Sequence, residues 1–311
     1  MKAMRLALKV MALIILYFVL FIVSSGLVAA GAEPPPADQM SLIFAVTLLI
    51  AFVNVVIATL IIRSSDWHGW KLAGAVALAL YGAATFLSAI EAVYYAPALG
   101  SSYQDVAAIL PTILLPNLIT FAIFMPIAVR VLGKWRANDG AVIGKRPFFS
   151  TQQWLIKLTT ASIIYYLLYF TFGFFVAWSN PELQAMYSAG ADNTLLMVWG
   201  VIPLQLFRGL LWVLFTLPII RLTRLQPWQT ALLVGVLCSL PMSVPLFMPN
   251  ELMPDASARL SHFYEITASN FLWGMVLVWF FHRSHRSLRD LFGLEQTDAT
   301  YEPHTVKATV K

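Results

Sequence analysis

The apolar run at residues 194–220 constrains the fold most, because it is long enough to cross a bilayer and contains a single arginine. At about 1.5 Å per residue, Arg208 lies roughly 20 Å along a helix from either end of this run. A charge at that depth costs about 2.5–3.5 kcal/mol on insertion scales. Arg208 is therefore expected to find a partner inside the protein and to mark a functional or pairing site.

Seven further apolar runs have a similar length. With the first they make eight candidate spans, at residues 10–30, 40–62, 70–95, 106–132, 154–178, 194–220, 228–247 and 260–281. Of the 311 residues, 59% are apolar and only 11% are charged, whereas soluble domains have about 25% charged residues. The runs are continuous, unlike the alternating strands of membrane barrels. The sequence therefore predicts an all-α polytopic membrane protein with eight transmembrane helices.

The basic residues predict the orientation of these spans. Of the 20 lysines and arginines, 18 fall on one side when the N-terminus is placed inside, while Arg259 lies outside and Arg208 within the membrane. By the positive-inside rule, both termini are cytoplasmic. Topology thus accounts for the net charge of +5, and no nucleic-acid partner is predicted. The expected partners are the lipid bilayer of an inner membrane and anionic lipid headgroups on its cytoplasmic face.

The first run allows a second interpretation. Lys2, Arg5 and Lys9 precede it, and the sequence 30–32 (AGA) fits a signal-peptidase site. Cleavage there would leave seven spans with the same orientation.

The two halves of the chain resemble each other in four places that keep their order. IILYFVLF at residues 14–21 matches IIYYLLYF at 163–170, and TLIIR ending at Arg63 matches TLPIIR ending at Arg221. Trp70 and Trp228 follow these arginines by seven residues, and Asn117 and Asn270 each lie thirteen residues before an arginine. The pattern predicts two parallel four-helix repeats, residues 1–148 and 149–293, followed by a disordered cytoplasmic tail at 294–311. Secondary transporters use such repeats, although gene duplication without alternating access would give the same pattern.

A candidate binding site is formed by six polar residues predicted at membrane depth. Gln205 and Arg208 lie at i and i+3 on one helix, His262 and Glu265 have the same spacing on another, and Glu91 is expected near the level of Glu265. Asn270 lies beyond Glu265 on the same helix. We expect Arg208 to meet Glu91, Glu265 or both, either as a structural ion pair or as part of a pocket open to the outer face. Carboxylates and histidine are metal-ligand types, but without a tight motif neither a metal nor another cofactor is predicted.

Residues 205–212, QLFRGLLW, resemble the first motif of the CAAX-protease-like (CPBP) intramembrane family. In that family, paired glutamates precede the Phe-Arg-Gly and act with a downstream His and Asn in a metal-dependent protease. This chain has Pro203 and Leu204 in place of the glutamates, and the run 228–247 has no histidine. The resemblance thus implies a relative that lacks the catalytic pair.

Three functions remain open from the sequence. The first is a permease-like or ligand-binding membrane protein with an outward-facing polar site for a small molecule or ion. The second is an intramembrane enzyme that uses a carboxylate and His262 as acid and base. The third is an assembly or signalling subunit in which the polar residues only hold helices together. The first is favoured, and no catalytic residue is assigned.

Overall fold

The computed structural model describes residues 2–30, 35–95, 103–136, 148–189, 194–249, 253–285 and 287–294. These residues form an all-α protein. Its helices are α1 (Lys2–Val28), α2 (Met40–Ser64), α3 (Gly69–Tyr81), α4 (Leu87–Tyr95), α5 (Tyr103–Val131), α6 (Thr151–Phe172), α7 (Pro181–Ala189), α8 (Thr194–Leu222), α9 (Pro227–Ser243), α10 (Ala256–Phe281) and α11 (Leu288–Leu291). The predicted helical class is therefore confirmed.

Seven helices are long and apolar enough to cross a membrane. They are Lys2–Val28, Met40–Ser64, Gly69–Tyr95, Ala107–Val131, Thr151–Val176, Trp199–Leu222 and Pro227–Phe247. They coincide with the first seven predicted spans, except that α1 begins eight residues before its apolar run. The structure thus defines a multi-pass membrane protein. The eighth predicted span corresponds to α10, which has 26 residues but is not among the seven.

The outer surface of the bundle is apolar, as a lipid environment requires. Large side chains such as Trp70, Phe174, Phe175 and Leu214 are exposed. Without lipid, so much exposed apolar surface would drive aggregation. The surface is therefore compatible with a bilayer around these helices.

Two π-helical segments interrupt the long helices, and each begins at a glycine. Gly82–Phe86 lies between α3 and α4, and Gly173–Ala177 extends α6. A π turn adds one residue to the helical repeat and so changes which face the following side chains occupy. The first segment precedes Glu91 by about one turn, and the second contacts α10.

The ends of α2 and α8 pair with each other through backbone hydrogen bonds. Ser65 and Thr223 form an isolated antiparallel β-bridge. The N–H of Asp66 donates to Leu222 O at 2.7 Å, and the N–H of Arg224 donates to Ser64 O at 2.8 Å. Arg224 also forms an ion pair with Asp66. We call residues 64–66 and 222–224 the bridge, and this end of the bundle the bridge end.

The start of α1 and the end of α10 both lie at the bridge end. Lys134 donates to Ser65 O at 2.7 Å, and Lys9 of α1 donates to Val131 O at 2.7 Å. The start of α6 joins them, because the Arg221 guanidinium lies 5.6 Å from the Trp154 ring. Gln153 in turn donates to the backbone of His285, just after α10. Most basic side chains of the described residues lie at this end.

Local sequence explains where several helices begin. Ser150 and Gln153 form a capping box at the start of α6, and Pro227 occupies the first turn of α9. Asp255 caps α10 by accepting from the Ala258 N–H at 2.7 Å, and this hydrogen bond lowers the pKa of its carboxyl. The predicted tail lies outside the described residues apart from Leu294.

Candidate functional site

Arg208 is held on the inner face of α8 with Gln205 one turn before it. The Arg208 side chain is 1% exposed, and its Nη1 donates to Gln205 Oε1 at 2.8 Å. Trp212 lies one turn further on the same face and is fully buried. The arginine therefore points into the bundle, as its predicted depth required.

Glu91 of α4 is the charged partner of Arg208. The distance from Arg208 Nη2 to Glu91 Oε2 is 2.8 Å, and the Glu91 side chain is 16% exposed. This confirms the predicted contact between the arginine and one of the two candidate carboxylates. The ion pair connects α4, in the first half of the sequence, with α8 in the second.

His262 and Glu265 form a second pair on the first half of α10. His262 Nδ1 lies 2.7 Å from Glu265 Oε2. Ser269 Oγ donates to the Glu265 backbone carbonyl at 2.7 Å, one turn further along. A Cβ on Gly173 would lie 3.6 Å from Glu265 Oε1, so the π-helical end of α6 packs directly on this carboxylate.

The two pairs border one small cavity. It encloses about 20 Å³, which is room for about one water molecule. Its walls come from α4, α6, α8, α9 and α10, and the lining residues are Glu91, Tyr165, Leu168, Tyr169, Arg208, Met242, His262, Glu265, Ile266, Ser269 and Asn270. Five of the six predicted site residues thus line one cavity, and the sixth, Gln205, accepts a hydrogen bond from Arg208.

Asn270 lies at the inner edge of this cavity. Its Nδ2 contacts the Met242 sulfur at 3.2 Å, a weak acceptor, and the residue is 6% exposed. Two donors near the ion pair, Gln205 Nε2 and Arg208 Nε, are buried and have no partner among the described residues. Such donors ordinarily bind ordered water or a ligand.

Tyrosines form the α6 wall of the site, and sequence reasoning did not find them. The Arg208 guanidinium lies 5.8 Å from the centre of the Tyr165 ring, within cation–π range. The Tyr169 hydroxyl lies 2.8 Å from that of Tyr95. The run 163–170 contains three tyrosines, but only the packing shows that two of them line the cavity.

A group of neutral polar side chains contact one another among the helices of the first half of the sequence. Asn117 donates to Thr85 Oγ1 at 2.7 Å, and the Tyr17 hydroxyl contacts Asn117 Oδ1 at 3.4 Å. Asn54 Nδ2 lies 3.3 Å from the same hydroxyl. We call these four residues the neutral polar cluster. None of these four residues carries a charge.

A separate buried group lies at the bridge end. Lys157 of α6 is 1% exposed; its ammonium group donates to the carbonyls of Phe280 and Arg283 and lies 2.6 Å from His285 Nδ1. Burial, together with the charges of Lys157 and Arg283, lowers the pKa of His285 to about 4. Arg283 Nε donates to His285 Nε2 at 3.1 Å, so the uncharged imidazole faces two cationic groups. The lysine caps the end of α10, and this group is structural in character.

The described residues contain no group of three or more His, Cys, Asp or Glu side chains placed to hold a metal ion. The side chains that line the cavity include two carboxylates, an arginine and an imidazole. When the chain is compared with models of protein families, with curated proteins and with solved structures, none of them matches.

Proposed function

We propose that this chain is a permease-like inner-membrane protein with eight spans and both termini in the cytoplasm. Its polar site lies between two parallel four-helix repeats and opens toward the outer face. The single observation that carries the functional part is the buried Arg208–Glu91 ion pair, which joins the two halves beside the His262–Glu265 pair.

The composition of α10 supports its assignment as the eighth span. With 26 residues the helix is roughly 39 Å long, enough for a hydrocarbon core of about 30 Å. Its lower hydropathy comes from polar side chains in its first fifteen residues, of which Glu265 and Asn270 are buried against other helices. Lipid would therefore meet the apolar face of α10.

The neighbour relationships of the helices support the repeat. In the first half, α1 packs on α2 and α5, and α3 packs on α5. In the second half, α6 packs on α8 and α10, and α9 packs on α10. Between the halves, α2 packs on α9 and α3 on α8. If α1, α2, α3 and α5 are matched with α6, α8, α9 and α10, each contact in this set has an equivalent in the set.

The bridge follows the same exchange. Ser65 and Thr223 are 158 positions apart, the offset that separates Arg63 from Arg221 in the sequence repeat. The hydrogen bond from Asp66 to Leu222 becomes the one from Arg224 to Ser64 when 158 is added to the donor's residue number and subtracted from the acceptor's. A twofold axis along the membrane normal relates parallel repeats in this way.

The site chemistry favours a transport role over a purely structural one. Intramembrane ionisable residues mark substrate and ion pathways by default. Here four such residues meet at one cavity, to which the first half contributes Glu91 and the second half the other three; transporter sites lie where repeats meet. Since the cavity holds about one water, it fits water or a small ion in this conformation, and a larger solute would require the halves to separate.

Thiol labelling tests whether the cavity opens to the outer side. In a Cys238→Ser background, Ser269→Cys should react with a membrane-impermeant thiol reagent added to the side opposite the termini. Thr85→Cys, in the neutral polar cluster and 3% exposed, is the matched control and should stay unlabelled. If Ser269→Cys reacts from neither side, or only from the side of the termini, the outward-facing site is refuted.

Transport itself is tested in proteoliposomes. A panel of small ionic solutes is screened first for those that raise the melting temperature of the wild type but not of Asn270→Ala. Asn117→Ala, the equivalent change in the first half, should keep the response. A solute found in this way should enter proteoliposomes faster than protein-free vesicles. Equal rates, or a panel without any stabilising solute, would contradict the permease proposal.

A further inference from the structure

The cavity contains unequal numbers of positively and negatively charged groups when His262 is neutral. Arg208 and Glu91 neutralise each other at 2.8 Å. Glu265 remains, with a side chain that is 8% exposed and an imidazole as its direct partner. With a neutral His262 the site has one net negative charge, and with a protonated His262 it has none.

A net charge in this position is costly. Each ion withdrawn from water costs several kcal/mol unless a partner compensates it. His262 Nδ1 lies 2.7 Å from Glu265 Oε2, so a ring N–H donates to the carboxylate, and an added proton would go to Nε2. One proton thus balances the site without moving any side chain.

Several elements that pack around α10 bring titratable or charged groups to the cavity beside His262. Tyr165 and Tyr169 of α6, Glu91 of α4 and Arg208 of α8 line the cavity with it. From α9 only Met242 reaches the cavity, and Glu182 of α7 is exposed to the outside. Glu265 is therefore the closest charge to the imidazole.

The position of His262 gives a proton access to water. It lies six residues after the start of α10, roughly 9 Å along the helix, at the end opposite the bridge. Its side chain is 19% exposed, more than twice the value of Glu265. The imidazole thus lies between the outer end of the bundle and the buried carboxylate.

We propose that His262 and Glu265 form a proton-binding site, and that the proton is the ion that drives the permease. Only the second part, the driving role of the proton, rests on the proposed function. One proton enters from water onto His262 Nε2, the imidazolium pairs with Glu265, and the same proton leaves when the site opens. No bond other than the N–H bond forms or breaks.

Histidine NMR of the full chain in nanodiscs tests the first part. The protein is labelled with ¹⁵N at the imidazoles and titrated between pH 5 and 9, and His262→Gln identifies the signal. We expect His262 to be imidazolium at pH 7 in the wild type. In Glu265→Gln the ratio of charged to neutral imidazole should fall on the order of tenfold, because an adjacent opposite charge shifts a titration by a unit or more.

Glu182→Gln is the matched control and should leave the ratio unchanged. A His262 that is neutral at pH 7 in the wild type overturns the proposal, even if Glu265→Gln fails to fold. An unchanged ratio in a folded Glu265→Gln also overturns it. Since the titration needs no transported solute, its failure is distinct from failure of the uptake assay. Uptake that ignores an imposed pH gradient would refute only the driving role of the proton.

Discussion

Arg208 and Glu91 form a buried ion pair between α8 and α4, although 117 positions separate them in the sequence. Their distance of 2.8 Å and the 1% exposure of Arg208 show a contact withdrawn from water. Arg208 also receives support from Gln205 and from the Tyr165 ring. The two partners differ in one property with measurable consequences, because a carboxylate can take up a proton and a guanidinium cannot.

The loss in the free energy of unfolding should therefore depend on which partner of the pair is replaced. Glu91→Gln leaves a buried guanidinium that stays charged, and we expect it to lower the free energy of unfolding by about 3 kcal/mol or more. Arg208→Met leaves a carboxyl that can become neutral, so its cost should be smaller. The double variant should recover most of the loss. Unfolding in detergent, read as a double-mutant cycle, measures all three values.

Asp290→Asn is the control for this cycle. Its side chain is 24% exposed and that of its partner Arg283 is 48% exposed, and an exposed ion pair contributes about 0–1 kcal/mol. If Glu91→Gln costs no more than Asp290→Asn, the Arg208–Glu91 pair is not withdrawn from water as described.

Close packing of α9 and α10 depends on two glycines in contact. A Cβ on Gly274 would lie 2.6 Å from both the Gly235 Cα and the Val234 carbonyl. Backbone atoms cannot move aside as a side chain can, so Gly274→Ala should separate the helices and cost about 1–3 kcal/mol. Thermal unfolding in detergent checks this.

Gly74→Ala provides the comparison, since nothing lies within 4 Å of a Cβ at that position. It should be neutral or slightly stabilising, because alanine is the better helix former. Equal losses in the two variants would indicate a general intolerance of the helices rather than a close contact.

The sequence predicted the seven membrane-length helices and the main site contact because both follow from the cost of burial. Apart from the start of α1, continuous apolar runs give the limits of these helices within a few residues, and the depth of Arg208 required a partner such as Glu91. The choice between Glu91 and Glu265 depended on helix rotation. The π-helical segment Gly82–Phe86 lies just before Glu91 and changes that rotation. No pattern in the sequence predicted this segment.

Other parts of the site could not be predicted because helices that are apolar on all sides have little periodicity. The inward face of α6, with Tyr165 and Tyr169, cannot be distinguished from its lipid face by composition. The burial of Lys157 was also missed, since a lysine near the start of a span ordinarily reaches the interface. Here the end of α10 covers it.

His285 predicts a loss of stability in mild acid. Its pKa in the folded protein is about 4, because burial and the neighbouring Lys157 and Arg283 disfavour the imidazolium. An unfolded histidine titrates near 6.5. The unfolded chain therefore binds the extra proton first, so stability is complete above about pH 6.5 and declines as the pH falls toward 4.

Melting temperature against pH in a non-ionic detergent measures this decline. His285→Gln should flatten the slope between pH 6.5 and 4, because glutamine does not titrate. His68→Gln, at the exposed position just before α3, should keep the slope of the wild type. A wild-type melting temperature that is constant over this interval would contradict the low pKa.

The bridge predicts a specific cross-link. Residues opposite each other in an antiparallel bridge have Cα atoms about 4.5–5.5 Å apart, which lies within the range of about 4.4–6.8 Å for disulfides. Ser65→Cys with Thr223→Cys, in a Cys238→Ser background, should therefore form a disulfide under mild oxidation. Ser65→Cys with Thr216→Cys should not, because Thr216 lies one to two turns further back on α8.

The same cross-link distinguishes a fixed bridge from one that opens. If the halves move apart at the bridge end during transport, the disulfide should stop uptake in proteoliposomes and a reductant should restore it. We expect Ser269→Cys added to the cross-linked protein still to react from the outer side, because Ser269 lies twelve residues before the end of α10, roughly 18 Å from the bridge end. Uptake at the wild-type rate with the disulfide intact would show that the bridge stays closed, and any movement would then have to occur elsewhere.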